Sequence, residues 1–147
     1  MAPEVEARRT AAVRVPIGDQ WLQGDLGMPV EPHGIVLFAH GSGSSRHSPR
    51  NQYVARVLER RGLATLLIDL LTPEEEAVDD RTAQYRFNIE LLAHRLATIV
   101  AWLRRRKETS SLRIGVFGAS TGGGAALMAA AARPKEIATV VSRRRTS

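Results

Sequence analysis

The 147 residues suit a single domain, and a chain of that length can bury roughly 68–70% of its unfolded surface, so a core of ordinary size is available. With 44% apolar and 24% charged residues and no apolar run near the roughly 18 residues that cross a bilayer, the composition excludes a membrane-spanning, collagen-like or wholly disordered chain. The net charge of +6 is entirely C-terminal: residues 1–103 hold 11 Lys and Arg against 13 Asp and Glu, whereas 104–147 hold 10 against 2. Because 19 of the 21 basic residues are Arg in an Ala-rich chain, the excess reads as codon bias as much as a nucleic-acid patch, and it is weak evidence for a nucleic-acid partner. The absence of cysteine removes disulfides, thiol nucleophiles, iron–sulfur clusters and thiolate zinc sites, and it fits a reducing compartment. Arg14 and Pro16 interrupt what would have to be a signal peptide's apolar segment, so no leader and a cytoplasmic location are expected.

The elements follow in chain order. Val13, Val15 and Ile17 alternate, Gly18 and Asp19 turn, and Leu22, Gly24 and Leu26 continue with period two, which predicts an antiparallel hairpin. GIVLFAH (34–40) and LATLLIDL (63–70) are apolar on both faces, as parallel strands between helix layers are. Between them Ser48 and Pro49 suit a helix start, Val54, Val57 and Leu58 its apolar side, and Gly62 its stop, making a βαβ unit. Thr72 with Pro73, Glu74 and Glu75 reads as a capping box that opens a short acidic helix, where a metal site is not expected. Tyr85, Ile89, Leu92, Leu96, Ile99 and Leu103 form one helical stripe, which predicts the longest helix from Tyr85 onward. His94 falls away from that stripe and is expected in solvent. LRIGVFG (112–118), a Gly/Ala-rich helix to about Ala132 and a last strand, IATVV (137–141), complete an open, mostly parallel α/β sheet with helices on both faces. Residues 1–10 and 143–147 are expected to be flexible flanks of one domain.

In such a sheet, sites form at the carboxyl ends of the strands. After the third central strand comes Gly118-Ala119-Ser120-Thr121-Gly122, a G-x-S-x-G pentapeptide running straight into a helix. Small residues flank the apex because a sharp strand-to-helix turn crowds its neighbours. Ser120 would stand at the apex, with the Thr121 N–H at the helix start where a developing oxyanion can bind. After the first central strand comes His40-Gly41-Ser42-Gly43-Ser44-Ser45, whose small residues let backbone N–H groups approach a substrate oxygen. His40 reads more simply as a hydrogen-bonding support of that loop than as a base. Asp69, at a strand's carboxyl end, is either a site residue or an anchor for a loop.

The strand, HGSGSS loop, helix, strand, helix and GASTG elbow resemble the α/β-hydrolase superfamily, specifically its dienelactone-hydrolase-like branch, over about residues 11–142. HGSGSSRHSPRN, DLLTPEEE and GVFGASTGGGAA are similar to a bacterial group of that branch that also occurs fused to phosphoribosyltransferase domains. The resemblance implies Ser120 as nucleophile, the Thr121 and Ser42 N–H groups as oxyanion donors, and His40, Gly41, Gly43 and Asp69 as candidate substrate contacts. It implies a small ester or lactone substrate, no cofactor and no metal, with neither membrane nor nucleic acid as partner. The family places its acid and then its histidine after the serine. Here the 27 residues after Ser120 hold no His and no Asp, and His33, His40, His47 and His94 all precede it. The resemblance therefore predicts a C-terminally truncated and catalytically impaired chain, or a non-catalytic fragment, with self-association through an exposed sheet edge.

A dehydrogenase reading competes, because GASTGGG also fits the G-x-x-x-G-x-G phosphate turn of the short-chain dehydrogenases, with Arg143 and Arg144 placed for an NADP phosphate. That turn should follow the first strand of its domain, and here several strands precede it. A Walker A reading fails because no Lys follows the glycines.

Overall fold

The computed structural model describes residues 8–39, 46–119 and 121–143. Its elements are β1 (Arg9–Ile17), β2 (Gln20–Met28), β3 (Gly34–Ala39), α1 (Pro49–Arg60), β4 (Leu63–Ile68), α2 (Pro73–Thr82), α3 (Ile89–Arg105), β5 (Arg113–Ala119), α4 (Thr121–Ala132) and β6 (Ile137–Arg143). The six strands form one sheet in the order β1-β2-β4-β3-β5-β6. β1 pairs antiparallel with β2, and β2 with β4, while β4, β3, β5 and β6 run parallel. The hairpin turns at Gly18, whose φ of 61° is the left-handed conformation that glycine adopts without a steric penalty.

Alternation along the central strands divides the core. Ile35, Leu37, Leu66, Ile68, Ile114 and Val116 face α3 and α4, where Leu96, Ile99 and Leu103 are fully buried with them. Phe38 and Leu67 face the other way against Ala55 of α1, with Phe117 edge-on to Phe38 at 5.5 Å. Parallel strands covered on both faces read as unbroken apolar runs, which is why 34–40 and 63–70 were legible as strands.

Each helix carries the start its sequence encodes. Ser48 caps α1 through the Asn51 N–H, with Pro49 at the first position, and Gly62 (φ 89°) follows the end. Thr72 and Glu75 make the reciprocal capping box of α2. The long helix begins later than its apolar stripe: Asn88 accepts the Leu91 N–H and caps α3 at Ile89. Tyr85 belongs to the preceding turn, because the buried Asp79 carboxylate accepts the N–H groups of Tyr85 and Arg86 and holds them out of the helix. The sheet also reaches into both expected flanks. Arg9 and Thr10 pair with Met28 and Gly27, Arg8 salt-bridges Glu59, and Ser142 and Arg143 pair with β5.

Glu59 was not legible as a core residue. It is 5% exposed on α1, where Val57 was expected to face inward, and it is tolerable there because Arg8 and the Thr65 hydroxyl both donate to it. Arg95 is likewise buried, donating to the Leu70 carbonyl and to both oxygens of Glu75, which ties α3 to the start of α2.

This pair gives a pH prediction. The Arg95 guanidinium is the largest influence on Glu75; against partial burial, and helped by the Thr72 N–H, it holds the carboxyl below its usual 4.5. A depressed folded value means that the pair's stabilisation is fully present above the unfolded value and is lost as pH falls through the folded one. The gap in Tm between wild type and Glu75→Gln should therefore stay constant at neutral pH and close progressively below 4.5. Circular-dichroism melts from pH 7 to pH 3 would read it, and a gap independent of pH would refute it.

Candidate active site

Three strand ends lie side by side. In the sheet order β4-β3-β5, the last residue of β3, Ala39, pairs with Ile68 of β4 on one side and Gly118 of β5 on the other. The segments that follow, 40–45, 69–72 and 120, therefore all leave from one stretch of the carboxyl edge, where an open α/β sheet places its ligands. His40, Gly41, Ser42, Gly43 and Ser120 lie outside the described residues, whereas Asp69 and Thr121 lie within them.

β5 ends at Ala119 and α4 begins at Thr121, leaving one residue between strand and helix. A Cβ on Gly118 would sit 2.5 Å from the Gly122 carbonyl oxygen and 2.8 Å from the Gly123 Cα. Only glycine fits there, because the clash is with backbone and cannot be relieved by a rotamer. Gly123 lies against the Ser142 hydroxyl of β6, so the helix start is pressed into the sheet on two sides. As the first residue of α4, Thr121 has an N–H with no acceptor within the helix, one of the donors a helix start leaves free.

At the neighbouring strand end, Asp69 is 6% exposed. Its N–H donates to the Gln23 carbonyl at 3.0 Å, and Arg46 donates to both of its oxygens, the backbone N–H at 2.8 Å to Oδ1 and the guanidinium to Oδ2. The Arg46 Nε is 3.6 Å from Asp25 of β2. Glu76, on the first turn of α2, shares this field. Burial and then the Asp69 and Asp80 charges push its carboxyl above the usual value, with Arg46 opposing. Sequence reasoning named Asp69 and missed Arg46, although Arg46 stands directly after the Gly/Ser run; a lone arginine in a loop carries no periodic signal. His94 is exposed on α3, as its place off the stripe predicts. Among the described residues no cluster of His, Asp and Glu is arranged to hold a metal, and no helix is long and apolar enough to cross a membrane.

A mixed sheet opened by an antiparallel hairpin, with a Gly-flanked strand-to-helix turn after its fifth strand, is the α/β-hydrolase fold. The chain's neighbours among solved structures include dienelactone hydrolase-like α/β hydrolases. It is 58% identical to a dienelactone hydrolase from Anabaena variabilis, with a TM-score of 0.91 over 95% of this chain and 65% of that one. A dienelactone hydrolase-like promiscuous phosphotriesterase from metagenomic libraries shares the fold at 16% identity and a TM-score of 0.73, over 92% of this chain and 59% of that one. Two curated proteins of Mycobacterium tuberculosis, one from each of two strains and both bearing the name phosphoribosyl transferase, are 55% identical over 135 residues. Those residues are 92% of this chain but only 30% of each relative, as expected for a group with fused members. No family model matches the chain.

Proposed function

We propose that the chain carries the nucleophile and oxyanion half of a serine hydrolase acting on small esters or lactones, with Ser120 as nucleophile and the Thr121 and Ser42 N–H groups as oxyanion donors. The observation that carries this reading is the single residue between β5 and α4, with Gly118 in backbone contact with Gly122 and Gly123. A turn this tight costs steric freedom at three positions, and a nucleophile presented at a helix start is the chemistry that uses it. The similar protein from Anabaena, a dienelactone hydrolase, supports the substrate class.

The family's acid and base positions have no counterpart among residues 121–147. A serine hydroxyl stays a weak nucleophile until a base accepts its proton, so the chain alone is expected to be close to inactive. The test compares p-nitrophenyl acetate hydrolysis and fluorophosphonate labelling for the chain, for Ser120→Ala, and for the chain joined to the C-terminal part of the Anabaena dienelactone hydrolase. Strong labelling of the unextended chain, abolished by Ser120→Ala and by replacing one of its four histidines, would show that a base inside the chain completes the site.

Self-association belongs to the same reading. β6 is an outer strand of the sheet among the described residues, with Val141 exposed on it and Leu127 and Met128 exposed on α4. Unpaired strand edges beside apolar surface invite pairing. Oligomers are expected in sizing chromatography, and a monomer with a sharp thermal transition would contradict this.

A further inference from the structure

We propose that the cleft between α1 and the first hairpin is a binding site for a guanidinium group, and that the chain's own Arg8 is its resident ligand, latching the start of β1 onto α1. The inference is independent of the hydrolase reading. Asp25, Gly27, Arg56, Glu59 and Thr65 line a cleft of about 170 Å³, together with Arg8 itself. At its inner end is a carboxylate in an unusual place. Ala55 and Glu59 lie one turn apart on α1 and are both buried, so they share the face that the helix turns to the sheet. Ala55 packs there with Phe38 and Leu67, whereas Glu59 brings a charge into the same layer. A carboxylate so far from water is costly unless a cation and hydrogen bonds meet it.

The sheet makes room for that carboxylate. A Cβ on Gly27 of β2 would run into the Glu59 carboxylate and lie 3.0 Å from the Thr65 hydroxyl, so any side chain at 27 would push the charge out of its place. The Thr65 hydroxyl donates to Oε2, and Oε1 accepts from Arg8 Nε. One donor is thus built into β4, and the other comes from the segment ahead of β1. Exposure is divided in the same way: the Glu59 side chain is 3% exposed and that of Arg8 38%. The carboxylate belongs to the packed layer, while its cation enters from the open side of the cleft, as a ligand does. A guanidinium suits the position because it is more weakly hydrated than an ammonium and presents its N–H donors in a plane. Asp25 adds a second negative charge to the cleft wall. A ligand carried by the chain itself acts at an effective concentration on the order of millimolar, so an outside guanidinium competes poorly while Arg8 is present and binds once it is gone.

Thermal melts of the full chain test this. Arg8→Ala should lower Tm by roughly 2–4 °C, the loss of one charge-assisted bond in a domain of this size. Methylguanidinium at tens of millimolar should restore most of that loss, and the recovery should saturate as binding to a single site does. Methylammonium at the same concentration, a cation without the planar donors, should restore little. In Arg8→Ala/Glu59→Gln neither ion should act differently from its effect on the wild type. A recovery of equal size in both backgrounds, or none in Arg8→Ala, would overturn the site. An unchanged Tm in Arg8→Ala would mean that Arg56, on the wall of the same cleft, serves Glu59 equally well, and Arg8 would lose its part as resident ligand. If Arg8→Ala does not fold by itself, methylguanidinium should bring back its folded circular-dichroism signal, and failure to do so would likewise overturn the proposal.

Discussion

Joined to a segment that supplies an Asp and a His, the chain should hydrolyse p-nitrophenyl acetate on the order of 10⁴-fold faster than it does alone, because oxyanion donors and binding by themselves leave only about 10³-fold acceleration over water. The magnitude follows from what each part contributes. The base removes the serine proton in the same step that forms the acyl bond, and the acid holds the base in the tautomer that can do so. Neither has a place among residues 121–147, where Glu136 is the single acid and no His occurs. In the extended protein Ser120→Ala should return the rate to that of the chain alone. In the unextended chain the same substitution should change little. If extension restores soluble, folded protein but no Ser120-dependent rate, the nucleophile assignment is wrong.

Gly118→Ala should be the most damaging single methyl that can be added near the site. Its Cβ would meet the Gly122 carbonyl and the Gly123 Cα, all backbone, so relief requires moving the start of α4 away from β5. Overpacking of this kind costs about 3 kcal/mol, and here the strain falls on the passage from β5 into α4. Gly123→Ala makes a useful control: its new methyl meets the Ser142 hydroxyl, an exposed side chain that can rotate aside, so the loss should be smaller. Urea titrations of both variants read the difference, and equal midpoints for Gly118→Ala and wild type would show that the elbow is looser than drawn.

Much of this architecture was legible in the sequence for a simple reason. Parallel central strands, capping boxes and a glycine-flanked serine each leave a pattern within a short window: GIVLFA, Thr72 to Glu75, Gly118 to Gly122. The start of α3 misled because the apolar spacing of Tyr85 and Ile89 continues a stripe that Asp79 and Asn88 interrupt with hydrogen bonds, and periodicity carries no information about caps supplied from another element. Glu59 and Arg46 were illegible for a related reason. A buried charge is revealed by its partners, and Arg8, Thr65 and Asp69 are all distant in sequence or carried on other elements. Asp69 itself could be placed at a strand end without its role being decided, since a carboxylate there serves a ligand or a loop equally well.

The position of β3 between β4 and β5 also constrains when the site can come into being. Each parallel neighbour arrives by a crossover, so the meeting of Ala39, Ile68 and Gly118 joins residues from three widely separated stretches. Distant pairings of this kind are slow to form because loop closure precedes any compensating contact. During synthesis the hairpin, β3, α1 and β4 can assemble first, with Arg46 already bound to Asp69, while β5 is still being made. β5 would then dock against an edge of β3 already held in register.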